Sequence, residues 1–161
     1  ETREAPAILI GHSLGGTAVL AAAHRIPEAA AVVSIAAPSA TQHLHSFLTR
    51  QTPESLEADE AAEIQVMGRP VRIKGQLLED LRQQDIPKRI AELGRPLLVF
   101  HSPDDEVIDV GEAAKIFGAA QHPKSFVALD GADHLLIRRE ADARFVARML
   151  ATWTGRYLAE E

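Results

Sequence analysis

The feature that most constrains this chain is a glycine-rich stretch near its start, where an apolar segment turns directly into a helix-forming one. The apolar residues 8–10 favour a buried β-strand, and the small residues 17–23 favour a helix. Between them lies the pattern G-x-S-x-G, with Gly11 and Gly15 on either side of Ser13. Such a short reversal brings backbone segments close together, and glycines avoid the clash that a Cβ would cause.

Ser13 lies at the tip of this predicted turn, and two interpretations are open. In the first, Ser13 is a nucleophile at the start of a helix, and the N–H of Leu14 donates to the oxyanion that forms during acyl transfer. In the second, the glycines make an ordinary strand-to-helix turn and Ser13 caps the helix. The flanking strand and helix favour the nucleophile, because the pattern carries this role in that context.

Composition excludes several other classes of function. The 161 residues suit one ordinary domain, and the net charge of -6 argues against a surface that binds nucleic acid or anionic membranes. The chain contains no cysteine, so disulfides, thiol chemistry and cysteine-bound metals are excluded. Its apolar runs are short and interrupted, unlike a signal peptide or a membrane span, and we expect a cytoplasmic protein.

Strand and helix patterns alternate along both ends of the chain. Apolar runs predict strands at 30–36, 96–101 and 125–129. Helices are predicted at 14–26, 109–118 and 138–158, the last with an apolar face of Ala141, Phe145, Met149, Leu150, Trp153 and Tyr157. Strand–helix–strand order predicts parallel strands with right-handed crossovers. The fold class is therefore α/β, a parallel sheet flanked by helices.

Residues 41–93 interrupt this alternation, and we interpret them as an insertion over the strand ends, within a single domain that spans 1–161. The predicted elements of the insertion are helices at 41–50, from 52 onward, at 75–84 and at 87–93, and a hairpin at 63–73. Some of its apolar residues are candidates either for lining an acyl pocket or for plain packing: Phe47, Leu48, Met67, Leu77 and Leu78.

A serine nucleophile needs a base, and the base needs a carboxylate to orient it. Two segments that directly follow predicted strands, after His101 and after Leu129, offer both groups. Loops at the carboxyl ends of parallel strands face one crevice, so these groups can converge on Ser13. The second segment supplies His134 as the base. The carboxylates available to orient it are Asp104, Asp105, Glu106, Asp130 and Asp133.

At these motifs the sequence resembles the α/β-hydrolase family. Residues 11–16 resemble the family's nucleophile elbow, 101–107 its acid loop, with Ser102 where the family usually has glycine, and 131–134 its histidine loop. The resemblance implies a three-layer α/β-hydrolase fold. It also assigns the acid to Asp105, with Asp104 as the runner-up.

The resemblance implies further strands before the nucleophile strand, and these are not in the sequence. We therefore expect a fragment or truncated gene product that is weakly active or inactive, because the second oxyanion donor comes from a loop before the elbow. The nucleophile strand would have an unpaired edge, open to self-association or to an upstream segment. The phrases 96–105 and 122–134 also resemble the hydrolase part of bacterial proteins that join an α/β-hydrolase to a C-terminal OsmC-type domain.

The implied function is a serine hydrolase that acts on a small-molecule ester, thioester or amide through an acyl-enzyme. The same residues would serve acyl transfer or perhydrolysis, and neither a cofactor nor a metal is implied. An Asp-nucleophile hydrolase is disfavoured, because the elbow holds Ser13. The alternative is a non-catalytic, hydrolase-like module that binds a ligand or partner within a larger OsmC-type redox protein. Of the other histidines, we expect His12 to support the elbow and His101 to be structural or exposed.

Overall fold

The computed structural model describes residues 4–66 and 68–158, in which strands and helices alternate. The strands are Ile8–His12 (β1), Ala31–Ile35 (β2), Ala61–Val66 (β3), Arg69–Lys74 (β4), Leu97–His101 (β5) and Lys124–Ala128 (β6). The helices are Leu14–Ala22 (α1), Gln42–Thr49 (α2), Gly75–Gln83 (α3), Ile86–Ala91 (α4), Gly111–Ala119 (α5) and Glu140–Thr154 (α6). A 3-10 turn, Ala23–Arg25, follows α1. The chain divides into a larger unit, up to Ser39 and from Ile86 onward, and a smaller unit, Ala40–Asp85.

The larger unit is built on a sheet in which the described strands lie in the order β1-β2-β5-β6, all parallel. Gly11 pairs with Ser34 across the first two strands. Every residue of β2 and β5 is buried, as their continuous apolar sequences predict for inner parallel strands. The predicted α/β class is therefore confirmed.

Helices cover both faces of this sheet. Side chains alternate between the faces of a strand, so Val32 and Val99 pack in one cluster with residues of α1, α4 and α5. Val33 and Phe100 point to the other face and pack in a cluster with residues of α6, including Trp153. The larger unit thus has three layers, helices on either side of a parallel sheet.

The buried face of α6 differs from the predicted apolar face, because Ala141 and Phe145 are exposed and Val146, which lies outside that face, is buried. Val146 and Trp153 are buried against the sheet, whereas Phe145 is 45% exposed. Residues 146, 150 and 153 lie on one helical stripe, and residue 145 precedes it by about 100° of helix rotation. The indole Nε1–H of Trp153 donates to Ser125 Oγ at 3.0 Å, which satisfies the polar end of this buried ring.

The smaller unit contains the predicted hairpin. β3 and β4 pair antiparallel and are joined through Gly68 at φ 75°. The unit has its own core of Leu48, Ile64, Ile73 and Leu81, with Leu77 and Leu78 packed against it. Three of the candidate pocket residues therefore belong to this core. Of the other two, Phe47 is 39% exposed and Met67 lies outside the described residues.

The helix predicted from Thr52 onward is wrong, because residues 51–60 form turns. Two of their carbonyls bond across the unit instead of along a helix: Glu60 O accepts from Gly75 N at 3.0 Å and Ala58 O from Gln76 N at 2.8 Å. Packing there is close, and a Cβ on Gly75 would stand 2.2 Å from Glu57 O. These two carbonyls thus pair with the first N–H groups of α3.

The compact smaller unit ends at Asp85, earlier than the insertion expected to reach residue 93. The reason is the apolar face of α4. Ile86 and Ile90 are buried in the same cluster as Leu20 of α1 and Ile116 of α5. Helix α4 therefore belongs to one helical layer of the larger unit.

The loop after β2 is tied to two helices. Thr17 Oγ1 donates to Pro38 O at 2.7 Å. Ser39 donates twice to Glu112 Oε2 of α5, from its backbone N–H at 2.9 Å and from its hydroxyl at 2.6 Å. Burial raises the pKa of Glu112, but the hydrogen bonds from Lys115 and Ser39 outweigh it and lower the pKa to about 2.

We expect Glu112→Gln to destabilise the fold at neutral pH by about 1–3 kcal/mol, the scale of hydrogen bonds to a charged group. The folded pKa of about 2 lies below the ordinary value of 4.5. The carboxylate's contribution is therefore complete above pH 4.5 and is lost as the pH falls toward 2. Urea denaturation of both proteins over this range measures the effect. Glu140→Gln, which breaks an exposed pair with Arg144, is the control and should change stability little. A Glu112→Gln difference that stays constant down to pH 2 would contradict the assignment.

Candidate active site

Ser13 forms the junction between β1 and α1 in a backbone conformation that is rare for a residue with a side chain. Its φ is 53° and its ψ is -125°, a strained combination outside glycine. Its N–H donates to Ile35 O at the end of β2, at 2.8 Å. Helix α1 starts at the next residue, and Ser13 makes no side-chain capping bond to it. The hydroxyl is therefore not used as a helix cap.

Two glycines permit this turn by close approach. A Cβ on Gly11 would stand 2.1 Å from the carbonyl oxygen of Gly15, and one on Gly16 would stand 2.5 Å from the Cβ of Ala37. A Cβ on Gly15 would have nothing within 4 Å. Steric crowding therefore requires glycine at residues 11 and 16. Residue 15 has room for a side chain, and its carbonyl is the group that a Cβ on Gly11 would meet.

Three predicted side chains from distant parts of the chain meet at the carboxyl ends of the strands. The hydroxyl of Ser13 lies 3.0 Å from His134 Nε2. His134 Nδ1 lies 2.8 Å from Asp105 Oδ2. The side chains of His134 and Asp105 are 6% and 0% exposed. Hydrogen bonds therefore run in one line from a buried carboxylate, through an imidazole, to a hydroxyl.

The carboxylate determines which nitrogen of His134 carries the proton. Burial raises the pKa of Asp105, but hydrogen bonds from His134, Ile108 and Val107 outweigh it and hold the pKa below its ordinary value of 3.8. An ionised carboxylate only accepts, so His134 Nδ1–H donates to it. In the neutral imidazole Nε2 is then free of hydrogen and accepts from the Ser13 hydroxyl. This arrangement can remove the hydroxyl proton as the oxygen attacks.

The predicted oxyanion donor, Leu14 N–H, is the first amide of α1. A helix supplies no carbonyl partner for its first N–H groups, and these carry the positive end of the helix dipole. Leu14 directly follows Ser13, so its N–H lies in the same turn as the Ser13 hydroxyl. Negative charge that develops beside Ser13 would meet a favourable field.

Of the five candidate carboxylates, Asp105 is the one hydrogen-bonded to His134. The others have different contacts. Asp104 Oδ2 accepts from Gly131 N–H at 2.8 Å, and Glu106 faces Arg138 in an exposed pair. Asp133 accepts from the N–H groups of 135, 137 and 138. The backbone carbonyl of Asp130 accepts from Arg139 Nη2 at 3.0 Å.

Two histidines make contacts that the sequence did not reveal. His12 Nε2 lies 2.7 Å from the backbone oxygen of His134. His101 is fully buried, and its Nε2 lies 2.9 Å from Ile108 O and 3.6 Å from Asp105 Oδ2. His101 therefore holds the loop around the carboxylate. Its position four residues before Asp105 was the only signal in the sequence.

Within residues 4–66 and 68–158, no group of three or more His, Asp or Glu side chains is placed to hold a metal ion. No helix in this part of the chain combines the length and the apolar character needed to cross a membrane.

Comparison with known proteins places these features in a family. The family model described as "Alpha/beta hydrolase family" matches residues 1–148. Among solved structures, the chain is similar to the esterase domain of a Rhodothermus marinus protein, with 45% identity and a TM-score of 0.83, over 96% of this chain and 62% of that one. This chain therefore spans less than two thirds of that structure.

Two more distant structures share the fold. Monoacylglycerol lipase from Paleococcus ferrophilus is 20% identical with a TM-score of 0.68, over 94% of this chain and 68% of that one. Est1E from Butyrivibrio proteoclasticus is 18% identical with a TM-score of 0.58, over 88% of this chain and 60% of that one. No curated protein matches the sequence. The chain also has the parallel sheet flanked by helices that this fold requires. The family model and the 45% identical structure show that this chain belongs to the alpha/beta hydrolase family.

Proposed function

We propose that this protein is a serine hydrolase that cleaves carboxylic esters, and by the same chemistry thioesters or amides, through an acyl-enzyme. The observation that carries the proposal is the line of hydrogen bonds from Asp105 through His134 to Ser13, with distances of 2.8 and 3.0 Å. In acyl transfer, Asp105 would be the acid that orients the base, His134 the base and Ser13 the nucleophile.

The proposed reaction has two halves. Ser13 Oγ attacks the carbonyl carbon while its proton moves to His134 Nε2, and Asp105 stabilises the resulting imidazolium. The oxyanion accepts a hydrogen bond from Leu14 N–H. His134 then returns the proton to the leaving alcohol, thiol or amine, and the ester between substrate and Ser13 remains. Water, deprotonated by His134, releases the acid and restores the hydroxyl.

Two observations support an ester with an apolar acyl group. The 45% identical Rhodothermus marinus structure is described as an esterase domain. In addition, exposed apolar side chains lie next to the three proposed catalytic residues along the chain: Leu14, Val107, Leu135 and Ile137. We propose that an acyl chain bound at Ser13 packs against some of these side chains.

A fluorophosphonate probe tests the proposal on the full-length gene product. The probe should attach to folded protein at one site, and mass spectrometry of the digest should map it to the peptide that contains Ser13. Heat-denatured protein is the control and should not react, because the serine is activated only by the folded arrangement. Folded protein that stays unlabelled, or that is labelled on another serine, would overturn the proposal.

Other expectations from the sequence remain predictions. They are the cytoplasmic location, the link to an OsmC-type domain, self-association or upstream pairing at the β1 edge, and a role of the insertion in lining the acyl pocket. Residues 96–105 and 122–134 support the OsmC link by resemblance alone. The non-catalytic alternative predicts folded protein that binds its ligand without reacting with the probe.

A further inference from the structure

Two consecutive residues of the elbow both hydrogen-bond His134. The hydroxyl of Ser13 bonds the imidazole of His134 at Nε2, at 3.0 Å. His12 bonds its backbone oxygen, at 2.7 Å. A carbonyl oxygen only accepts, so His12 is the donor and carries hydrogen on Nε2. The proposed base is therefore held by the elbow at its main chain as well as at its ring.

The segment that carries His134 needs such contacts, because residues 129–139 form neither helix nor strand. Two of its residues, Gly131 and Leu136, have positive φ values of 71° and 57°. Bonds from side chains to the backbone hold its path: Asp104 accepts from Gly131 N–H, and Asp133 accepts from the amides that follow. The bond from His12 is of the same kind, and its acceptor is the backbone oxygen of His134 itself.

We propose that His12 is a positioning residue for the base. Its Nε2–H holds the main chain of His134, so that the imidazole stays between Asp105 and Ser13. The inference rests on the proposed serine-hydrolase function. His12 is not the base in this arrangement, since its Nε2 already donates to the carbonyl of His134 and the nitrogen that faces the Ser13 hydroxyl belongs to His134. The two imidazole rings are also in contact, with centroids 4.9 Å apart.

Ring contact and hydrogen bonding can be separated by a matched pair of variants. His12→Gln keeps an amide N–H donor at a similar reach and removes the ring. His12→Met has a similar length and shape to the Gln variant but has no donor. If the hydrogen bond positions His134, the Gln variant retains activity and the Met variant loses it. If ring packing alone matters, both variants lose activity equally.

The experiment measures p-nitrophenyl butyrate hydrolysis by the full-length protein and by both variants. We expect His12→Met to lower kcat by about tenfold to a hundredfold, the scale of a small misplacement of a catalytic group. KM should change by less than about twofold, because substrate contacts are retained. We expect His12→Gln to stay within about threefold of wild type, since its donor preserves the orientation of the base. Equal losses in the two variants, or full activity in His12→Met, would overturn the positioning role.

A measurement on the wild type covers the case in which a variant does not fold. Nitrogen-15 NMR of the histidines should show neutral His12 protonated at Nε2, and protonation at Nδ1 alone would overturn the contact. The two proposals fail differently. Wild type that neither hydrolyses esters nor reacts with the fluorophosphonate overturns both. Active wild type with an equally active His12→Met variant overturns the positioning role alone.

Discussion

Replacing Asp105 with Asn should lower kcat for ester hydrolysis about 10⁴-fold while the protein stays folded. Asp105 accepts from His134 Nδ1 through Oδ2 and from the N–H groups of Val107 and Ile108 through Oδ1. Asn can keep the backbone contacts with its oxygen, but its NH₂ group then faces His134 Nδ1. His134 must then carry hydrogen on Nε2, which can no longer accept the Ser13 proton.

Asp104→Asn is the matched control for this prediction. Asp104 is the adjacent carboxylate and the runner-up for the same role, but its Oδ2 accepts from Gly131 N–H at 2.8 Å. An Asn oxygen can accept the same bond, so we expect kcat within about tenfold of wild type. Steady-state kinetics of both variants, with melting temperatures to verify folding, make the comparison. A loss in Asp104→Asn as large as that in Asp105→Asn would contradict the assignment of the acid.

The second large effect is on stability. Gly11→Ala should destabilise the fold by about 3 kcal/mol or more, at the upper end of the cost of overpacking. The added Cβ would stand 2.1 Å from the carbonyl oxygen of Gly15 and 2.6 Å from the N of Gly16. These are backbone atoms of the first turn of α1, so the turn itself must move. Urea denaturation measures the free energy of unfolding, and a variant that fails to fold is the extreme of the expected result.

Gly15→Ala tests whether the requirement is for space at residue 11 or for glycine throughout the motif. A Cβ there meets nothing within 4 Å, and Gly15 lies inside α1. Alanine is favoured over glycine within a helix by about 0.5–1 kcal/mol, so stability should stay the same or rise. If Gly11→Ala proved as stable as Gly15→Ala, the steric explanation of the elbow would be wrong.

Much of the larger unit could be predicted from the sequence, because its signals are local. Continuous apolar runs identified β2 and β5, which are buried on both faces. The elbow pattern around Ser13 placed a tight turn between a strand and a helix, and the structure has β1 and α1 there. The smaller unit was harder to predict. Ala58 and Glu60 pair their carbonyls with the start of α3, and such pairing between segments leaves no periodic pattern.

The site shows the same division between local and distant information. By itself, the sequence determined the elbow, the order of strands and helices, and a short list of groups able to act with Ser13. It left five carboxylates open, and only resemblance to a family chose among them. The tertiary structure brought Asp105, rather than its neighbours, to His134. It also brought His12 to the backbone of a residue 122 positions away. Distances of this kind depend on how strands and loops pack, because a hydrogen bond needs atoms within about 3 Å, and spacing along the chain carries no such information.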